Sequence, residues 1–210
     1  MIEIELKYKI AKQPDLSGFT LKSEKSQKDI YFDTKEYDLI RGGNFVRVRN
    51  DKRIDFKLDI SDDSKHFYCK ETSFDVASIN DKNKDFLNVF KAINVAVKGG
   101  FNNFDQFIEV NDFVVLSPII KQRKTYTKGE SKIVISVDEV EKMGLFLEAE
   151  IVIDDNDNAD KNQIIAQEEK FLIENKLITP NDKRLDYGYV ELYLFEHNIK
   201  AYELGKYKTC

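Results

Sequence analysis

The chain opens on a two-residue alternation. Residues 2–9 read Ile-Glu-Ile-Glu-Leu-Lys-Tyr-Lys. Ile2, Ile4, Leu6 and Tyr8 fall on one side and Glu3, Glu5, Lys7 and Lys9 on the other, because successive side chains of a strand point to opposite faces. The same pattern predicts strands at 28–34, 44–50, 53–60, 66–74, 118–126, 131–139 and 145–153, which makes eight with the first. Asn50-Asp51-Lys52 joins two of them at hairpin length. Lys128-Gly129-Glu130 and Met143-Gly144 read as further turns.

Helical spacing appears in three places. Residues 82–97 put Phe86, Phe90, Ile93 and Val97 on one stripe, with Ser78 or Asn80 available as the cap. Residues 159–177 carry Ile164, Ile165, Phe171 and Leu172, and Tyr189–Leu204 reads as a C-terminal helix. Phe101–Phe113 is expected as a strand or loop, the lysine-rich run 22–28 (Lys22, Lys25, Lys28) as a solvated loop, and Asp154–Asp160 as a loop. The order strands, helix, strands, helix gives an α+β class with a mainly antiparallel sheet.

Composition narrows the setting. Of 210 residues, 38 are acidic and 33 basic, for a net charge of −5, and 15 Phe with 10 Tyr supply material for a core. The acidic balance argues against a protein that coats DNA. Cys69 and Cys210 make no disulfide framework and no zinc pattern. The acidic start is unlike a signal peptide, and no apolar run nears the roughly 20 residues of a membrane span. A soluble, cytoplasmic, single-domain protein is expected. His66 and His197 are isolated and read as non-catalytic, Cys69 as a core or face residue, and Tyr31 as packing.

The polar faces of the strands change the picture, because they are built from full charges. Glu3, Glu5 and Lys7 alternate on the first strand, Arg47 and Arg49 on the third, and Arg53, Asp55, Lys57 and Asp59 on the fourth. Lys121 and Arg123 share a face later, as do Glu148 and Glu150, with Asp138 between them in sequence. If the strands close into a barrel, the apolar set can fill it, or the charges can line it while the apolar set packs under helices. Stripes such as Phe86/Phe90/Ile93 need an apolar surface to cover, which favours the second arrangement. A charged interior makes sense if it holds an anion and a cation together. Paired carboxylates suit Mg²⁺ or Mn²⁺, and Arg forks suit phosphate oxygens.

The ordered motifs resemble the CYTH superfamily, the triphosphate tunnel metalloenzymes. They are Glu3-x-Glu5-x-Lys7, Ile30-Tyr31-Phe32-Asp33-Thr34, Phe45-Val46-Arg47-Val48-Arg49, Phe56-Lys57-Leu58, Tyr68-Cys69-Lys70-Glu71-Thr72, Lys121-Gln122-Arg123-Lys124-Thr125-Tyr126, Ser136-Val137-Asp138-Glu139-Val140, Met143-Gly144-Leu145-Phe146-Leu147-Glu148-Ala149-Glu150 and Asp182-Lys183-Arg184-Leu185-Asp186-Tyr187. The resemblance covers roughly residues 1–190, with 191–210 left as a helical extension. It implies an eight-stranded antiparallel β-barrel, the tunnel, with helices outside. Glu3, Glu5, Glu148 and Glu150 would hold Mg²⁺ or Mn²⁺, assisted by Asp138. Lys7, Arg47, Arg49, Lys57, Arg123 and Arg184 would hold the phosphate chain. Lys121, with Glu3 and Glu5, would serve catalysis. A Ser-Tyr pair common in the family is Asp186-Tyr187 here, which leaves that serine's contact without a counterpart. Arg53 lies outside the motifs and is expected at the barrel rim in solvent.

The function implied is metal-dependent hydrolysis of an inorganic, thiamine or nucleoside triphosphate. The alternatives are a class IV adenylyl cyclase, which uses the same apparatus, and a non-enzymatic polyphosphate binder. A small-molecule triphosphate partner is expected, without nucleic acid or membrane, and the chain could form a homodimer.

Overall fold

The computed structural model describes residues 2–60, 69–154, 160–179 and 181–208, with Ile2, Glu3 and Lys161 described by backbone alone. His66, Cys210, the start of the strand expected at 66–74 and most of the Asp154–Asp160 loop lie outside the described residues, as does the side chain of Glu3. In chain order the elements are β1 (Ile2–Ile10), β2 (Thr20–Thr34), α1 (Asp38–Arg41), β3 (Phe45–Arg49), β4 (Arg53–Asp59), β5 (Cys69–Asp75), α2 (Lys84–Ala92), α3 (Phe104–Val110), β6 (Phe113–Thr127), β7 (Val134–Val140), β8 (Gly144–Ile153), α4 (Lys161–Glu174), β9 (Lys183–Leu185), α5 (Tyr189–His197) and α6 (Ile199–Leu204). Among the described residues no helix is long and apolar enough to cross a membrane.

The chain divides into two compact units, and the neighbouring strands β2 and β6 give residues to both. The first unit takes the described residues of 2–27 and 120–188. Its strands run in the order β6-β7-β8-β1-β9, with antiparallel pairing from β6 through β9. Ile4, Leu6 and Tyr8 of β1 join Ile135 and Val137 of β7, Leu147, Ala149 and Ile151 of β8, and Ile164 and Leu172 of α4 in one buried cluster. The apolar half of each alternation therefore lies under α4, as the pattern requires, and the charged half lies on the opposite face. The β7–β8 turn closes through Gly144 at φ 99°, a left-handed geometry that costs a residue without Cβ little.

The second unit takes the described residues of 28–119 and 189–208. Its strand order is β5-β4-β3-β2, again antiparallel. Val46, Val48, Ile54 and Phe56 form a core with Phe86 and Phe90 of α2 and Phe104 and Phe107 of α3. Phe56 packs edge-on against Phe86 and Phe90 at centroid distances of 5.8 and 5.2 Å, the geometry the ring quadrupole favours. The β3–β4 hairpin turns through Asn50 and Asp51, both at positive φ, which these residue types tolerate best after glycine. The C-terminal helices end on this unit: Lys206 and the Tyr207 hydroxyl both bind Asp59 at the end of β4, the first at 2.5 Å and the second at 2.8 Å. Gly43, at φ 71°, lies so close that a Cβ would strike Asp59 and the Tyr207 ring.

Several elements differ from the sequence expectation. β2 starts at Thr20, so the lysine-rich run is strand rather than loop. Its residues before Gln27 are mostly exposed on both faces, so hydropathy carries no signal there. Phe101–Phe113 contains α3 rather than a strand. Asn103 caps it by accepting from the Gln106 amide at 2.9 Å, while the Gln106 side chain accepts from the Asn102 amide at 2.8 Å. That reciprocal cap was present in the sequence. Helix α2 is capped by Asn83, whose side chain accepts from Phe86 N at 3.1 Å, and not by Ser78 or Asn80. The single C-terminal helix is two, divided at Asn198, whose side chain caps α6 through the Ala201 amide at 3.1 Å. β9, three residues long, is a ninth strand that the alternation was too short to reveal.

Candidate functional site

Register builds the charged face of the first unit. Lys7 stands opposite Glu148 and Glu5 opposite Glu150 across β1–β8. Glu148 stands opposite Ser136 across β8–β7, and Asp138 opposite Arg123 across β7–β6. Directly opposed residues share a face, and so do residues two apart, so Glu5, Lys7, Lys121, Arg123, Asp138, Glu148 and Glu150 all project from one side.

These groups are interleaved acid against base. The Lys7 ammonium contacts both Glu5 and Glu148, at 2.7 Å from the latter. Arg123 grips Asp138 with two nitrogens at 2.7 and 2.5 Å and also reaches Glu148. Lys121 donates to Asp138 at 2.6 Å. Asp138 is fully buried, and Glu148 and Lys121 are 3% and 4% exposed, so water screens these charges little.

The titration of the cluster follows. Burial alone would raise Glu148, but the adjacent Arg123, Lys7 and Lys121 hold its carboxyl well below the usual range. Burial likewise opposes the charge on Lys7, and Glu148 and Glu5 outweigh it and hold the ammonium above its usual value. Lys121 goes the other way. Desolvation, reinforced by Arg123, exceeds the pull of Glu148 and Asp138 and pushes it down to about 8.

The second unit carries its own network. Arg49 lies bidentate on Asp29 at 2.7 and 2.8 Å. Arg47 donates to Asp55 at 3.1 Å and to the Tyr31 hydroxyl at 3.1 Å. Asp55 also receives Arg53 at 2.6 Å and the Ser73 hydroxyl at 2.8 Å. Burial disfavours its charge, yet Arg47 and the hydrogen bonds bring Asp55 down to about 2. Lys57 pairs with Glu71 at 2.8 Å. Tyr31, expected as packing, both packs against Phe45 and meets Arg47 through its hydroxyl. Arg53, expected free in solvent, is half exposed but spans a buried carboxylate. Asp29 and Asp55 were not among the expected site residues: Asp55, two positions from Arg53 and Lys57, reads equally well as surface alternation, and Asp29 has no arginine near it in sequence.

Arg184 is not brought to the charged face. It pairs opposite Tyr8 across β1–β9, which puts it on the α4 side, where it binds Glu169 at 2.5 Å and approaches Asp186 at 3.4 Å. On the same side α4 buries Glu168 completely, between Ile164 and Leu172 on its stripe, with neither carboxylate oxygen hydrogen-bonded. Desolvation, and then the negative charges of Glu5 and Glu150, push Glu168 up to about 9. Sequence offered a sign of it, an acid at the i+4 position inside an apolar stripe.

A hard divalent cation fits the donor set of the first unit. Glu5, Glu148 and Glu150 offer only oxygen, and Glu5 and Glu150 face each other across paired strands. In the present arrangement Glu5 and Glu148 are turned on Lys7 and Arg123. No three His, Cys, Asp or Glu side chains among the described residues stand at metal-holding spacing.

Comparison with known proteins gives the family and the fold. Residues 1–179 match the model of the CYTH domain. A Methanocaldococcus jannaschii protein named as a candidate adenylate cyclase is 30% identical over 198 residues, spanning 91% of this chain and 98% of its own. In three dimensions the chain is similar to the PH1819 protein of Pyrococcus horikoshii OT3, with TM-score 0.60 and 20% identity over 93% of this chain and 99% of that one. It is also similar to HpAC1 from Hippeastrum, described as a candidate adenylyl cyclase with a dominant triphosphatase activity, with TM-score 0.57 and 19% identity over 93% and 94%.

Proposed function

The chain belongs to the CYTH domain family, and from that premise we propose that it hydrolyses a triphosphate compound with the help of Mg²⁺ or Mn²⁺. One observation carries the reading: acids and bases alternate on a single strand face, buried at Lys7, Lys121, Asp138 and Glu148, the composition a metal–polyphosphate complex needs and a solvated face does not. Glu5, Glu148 and Glu150, with Glu3 expected beside them, would hold the metal. When bound, it would neutralise phosphate oxygens and draw charge from the bond to be broken. Asp138, tied to Lys121 and Arg123, is proposed to orient those two bases.

Lys7 and Arg123 supply the remaining positive charge, Arg123 as a planar fork and Lys7 as a compact ammonium. Fixed donors aimed at developing charge lower the barrier because they need no reorganisation as the reaction proceeds. Lys121, brought down to about 8, is partly neutral near neutral pH and suits proton acceptance from water. Water attacks the terminal phosphorus, the bridging P–O bond breaks, and phosphate and a diphosphate leave. In the other unit we propose Arg47, Arg49 and Lys57 as anion-binding residues held by Asp29, Asp55 and Glu71.

A second reading, adenylyl cyclase, is favoured by the name of the M. jannaschii relative. There the ribose 3′-oxygen attacks the α-phosphorus and pyrophosphate leaves. Inorganic triphosphate, thiamine triphosphate and ATP, each with Mg²⁺ or Mn²⁺, separate the two when phosphate, pyrophosphate and cyclic AMP are measured independently. Phosphate release supports hydrolysis. Cyclic AMP with equimolar pyrophosphate supports the cyclase, and no turnover of any of them leaves the polyphosphate binder.

A further inference from the structure

Glu148 holds two cations at once. Its carboxylate is 3% exposed and lies 2.7 Å from the Lys7 ammonium while also contacting Arg123. These are the two bases that the proposed function gives to the phosphate chain. A phosphate oxygen approaching either one meets a base already turned toward the Glu148 carboxylate. Anion binding without any other change would leave Glu148 buried and stripped of its partners, and an uncompensated buried charge is costly.

We infer that Glu148 is an internal competitor of the anionic ligand, masking Lys7 and Arg123 until a divalent cation draws its carboxylate away. The inference rests on the function proposed above and adds a direction to it. Metal and triphosphate bind each other's partners out of one ion-pair network, so each must strengthen the other's binding, and by the same factor. Glu5 contributes in the same sense but less, since it is 24% exposed and meets only one of the two bases, Lys7. The cations stay balanced when Glu148 is neutralised, because Lys7 keeps Glu5 and Arg123 keeps Asp138.

The test is calorimetric binding of tripolyphosphate at fixed ionic strength, with EDTA and separately with Mg²⁺, to the wild-type chain and to Glu148→Gln. A residue that served only as a metal ligand would leave the EDTA affinity unchanged. Masking predicts the opposite of a loss: Glu148→Gln binds tripolyphosphate in EDTA about tenfold or more tighter than wild type, and the further gain on adding Mg²⁺ shrinks. Glu5→Gln should move the same way by a smaller factor, and it decides the matter if Glu148→Gln does not fold. Wild-type binding with no tightening in the folded variants overturns the masking role alone. Wild type that binds no tripolyphosphate with or without Mg²⁺ overturns the masking role and the proposed function together.

Discussion

Lys7 and Glu148 face each other across the β1–β8 ladder, and their charged atoms meet at 2.7 Å with both side chains less than a tenth exposed. A pair so placed is held by register rather than by side-chain choice. A one-residue slip of β1 would turn Lys7 toward α4 and bring Tyr8 to the carboxylate. The apolar cluster of Ile4, Leu6 and Tyr8 under α4 is thus what fixes the ion pair on the other face.

Arg123→Ala removes a partly buried fork from the proposed anion site. A charge-assisted hydrogen bond of this kind contributes about 1.5–3 kcal/mol, so the rate should fall about ten- to a hundredfold or more, measured as kcat/KM on the best triphosphate. Arg53→Ala is the comparison. It should leave the rate near normal yet destabilise the chain by about 1 kcal/mol rather than nothing, because Arg53 is a partner of buried Asp55. Equal losses of rate would show that the two arginines are not functionally distinct.

Lys121 gives the rate a pH dependence. With its value near 8, raising the pH from 6 toward 9 converts the ammonium to the amine that accepts a proton, so kcat/KM should climb and level off. Lys121→Arg keeps the charge on Asp138 but cannot titrate in this range, and its profile should lack the climb. A wild-type profile flat from pH 6 to 9 would remove Lys121 from the proton transfer.

Glu168 makes stability fall with pH. Its folded value of about 9 lies above the ordinary glutamate value, so the folded chain holds an extra proton between about 4.5 and 9. Stability is therefore full below that window and declines through it, at up to about 1.4 kcal/mol per pH unit. Glu168→Gln should melt at a higher temperature than wild type at pH 8 and at a similar one near pH 5. Parallel melting curves at the two pH values would contradict this.

Asp33 anchors α1. It is fully buried, and its carboxylate accepts from the amides of Thr34, Leu39 and Ile40 at 2.7, 2.9 and 3.0 Å. Asp33→Ala leaves those amides without their acceptor and should cost about 2–4 kcal/mol in denaturant unfolding. A change below about 0.5 kcal/mol would mean that α1 finds other partners.

Strand β1 was legible residue by residue, since full charges alternating with branched apolar groups admit one pleat. Lys7 beside Glu148 was legible as a set, though only register shows which base meets which acid. The start of β2 was not, because strands whose two faces both meet water carry no hydropathic period. Helix α3 hid behind four phenylalanines, two within it and two flanking it, which suit a strand as well as a helix; only the Asn103/Gln106 cap distinguished them. Arg184 was misplaced for a different reason. A motif match preserves order along the chain but not the face of the strand, and β9 is too short for alternation to tell one face from the other.

The tie between Asp59 and the Lys206–Tyr207 pair spans 147 and 148 positions of sequence. Synthesis proceeds from the N-terminus, so β4 exists as a chain segment long before its partners do. Until residues 206 and 207 leave the ribosome, Asp59 stays hydrated and the ground beside Gly43 lies open. The second unit, although it begins at residue 28, is therefore completed only once residues 206 and 207 have been made. Such distant closures slow folding because the loop entropy is lost before the contact repays it.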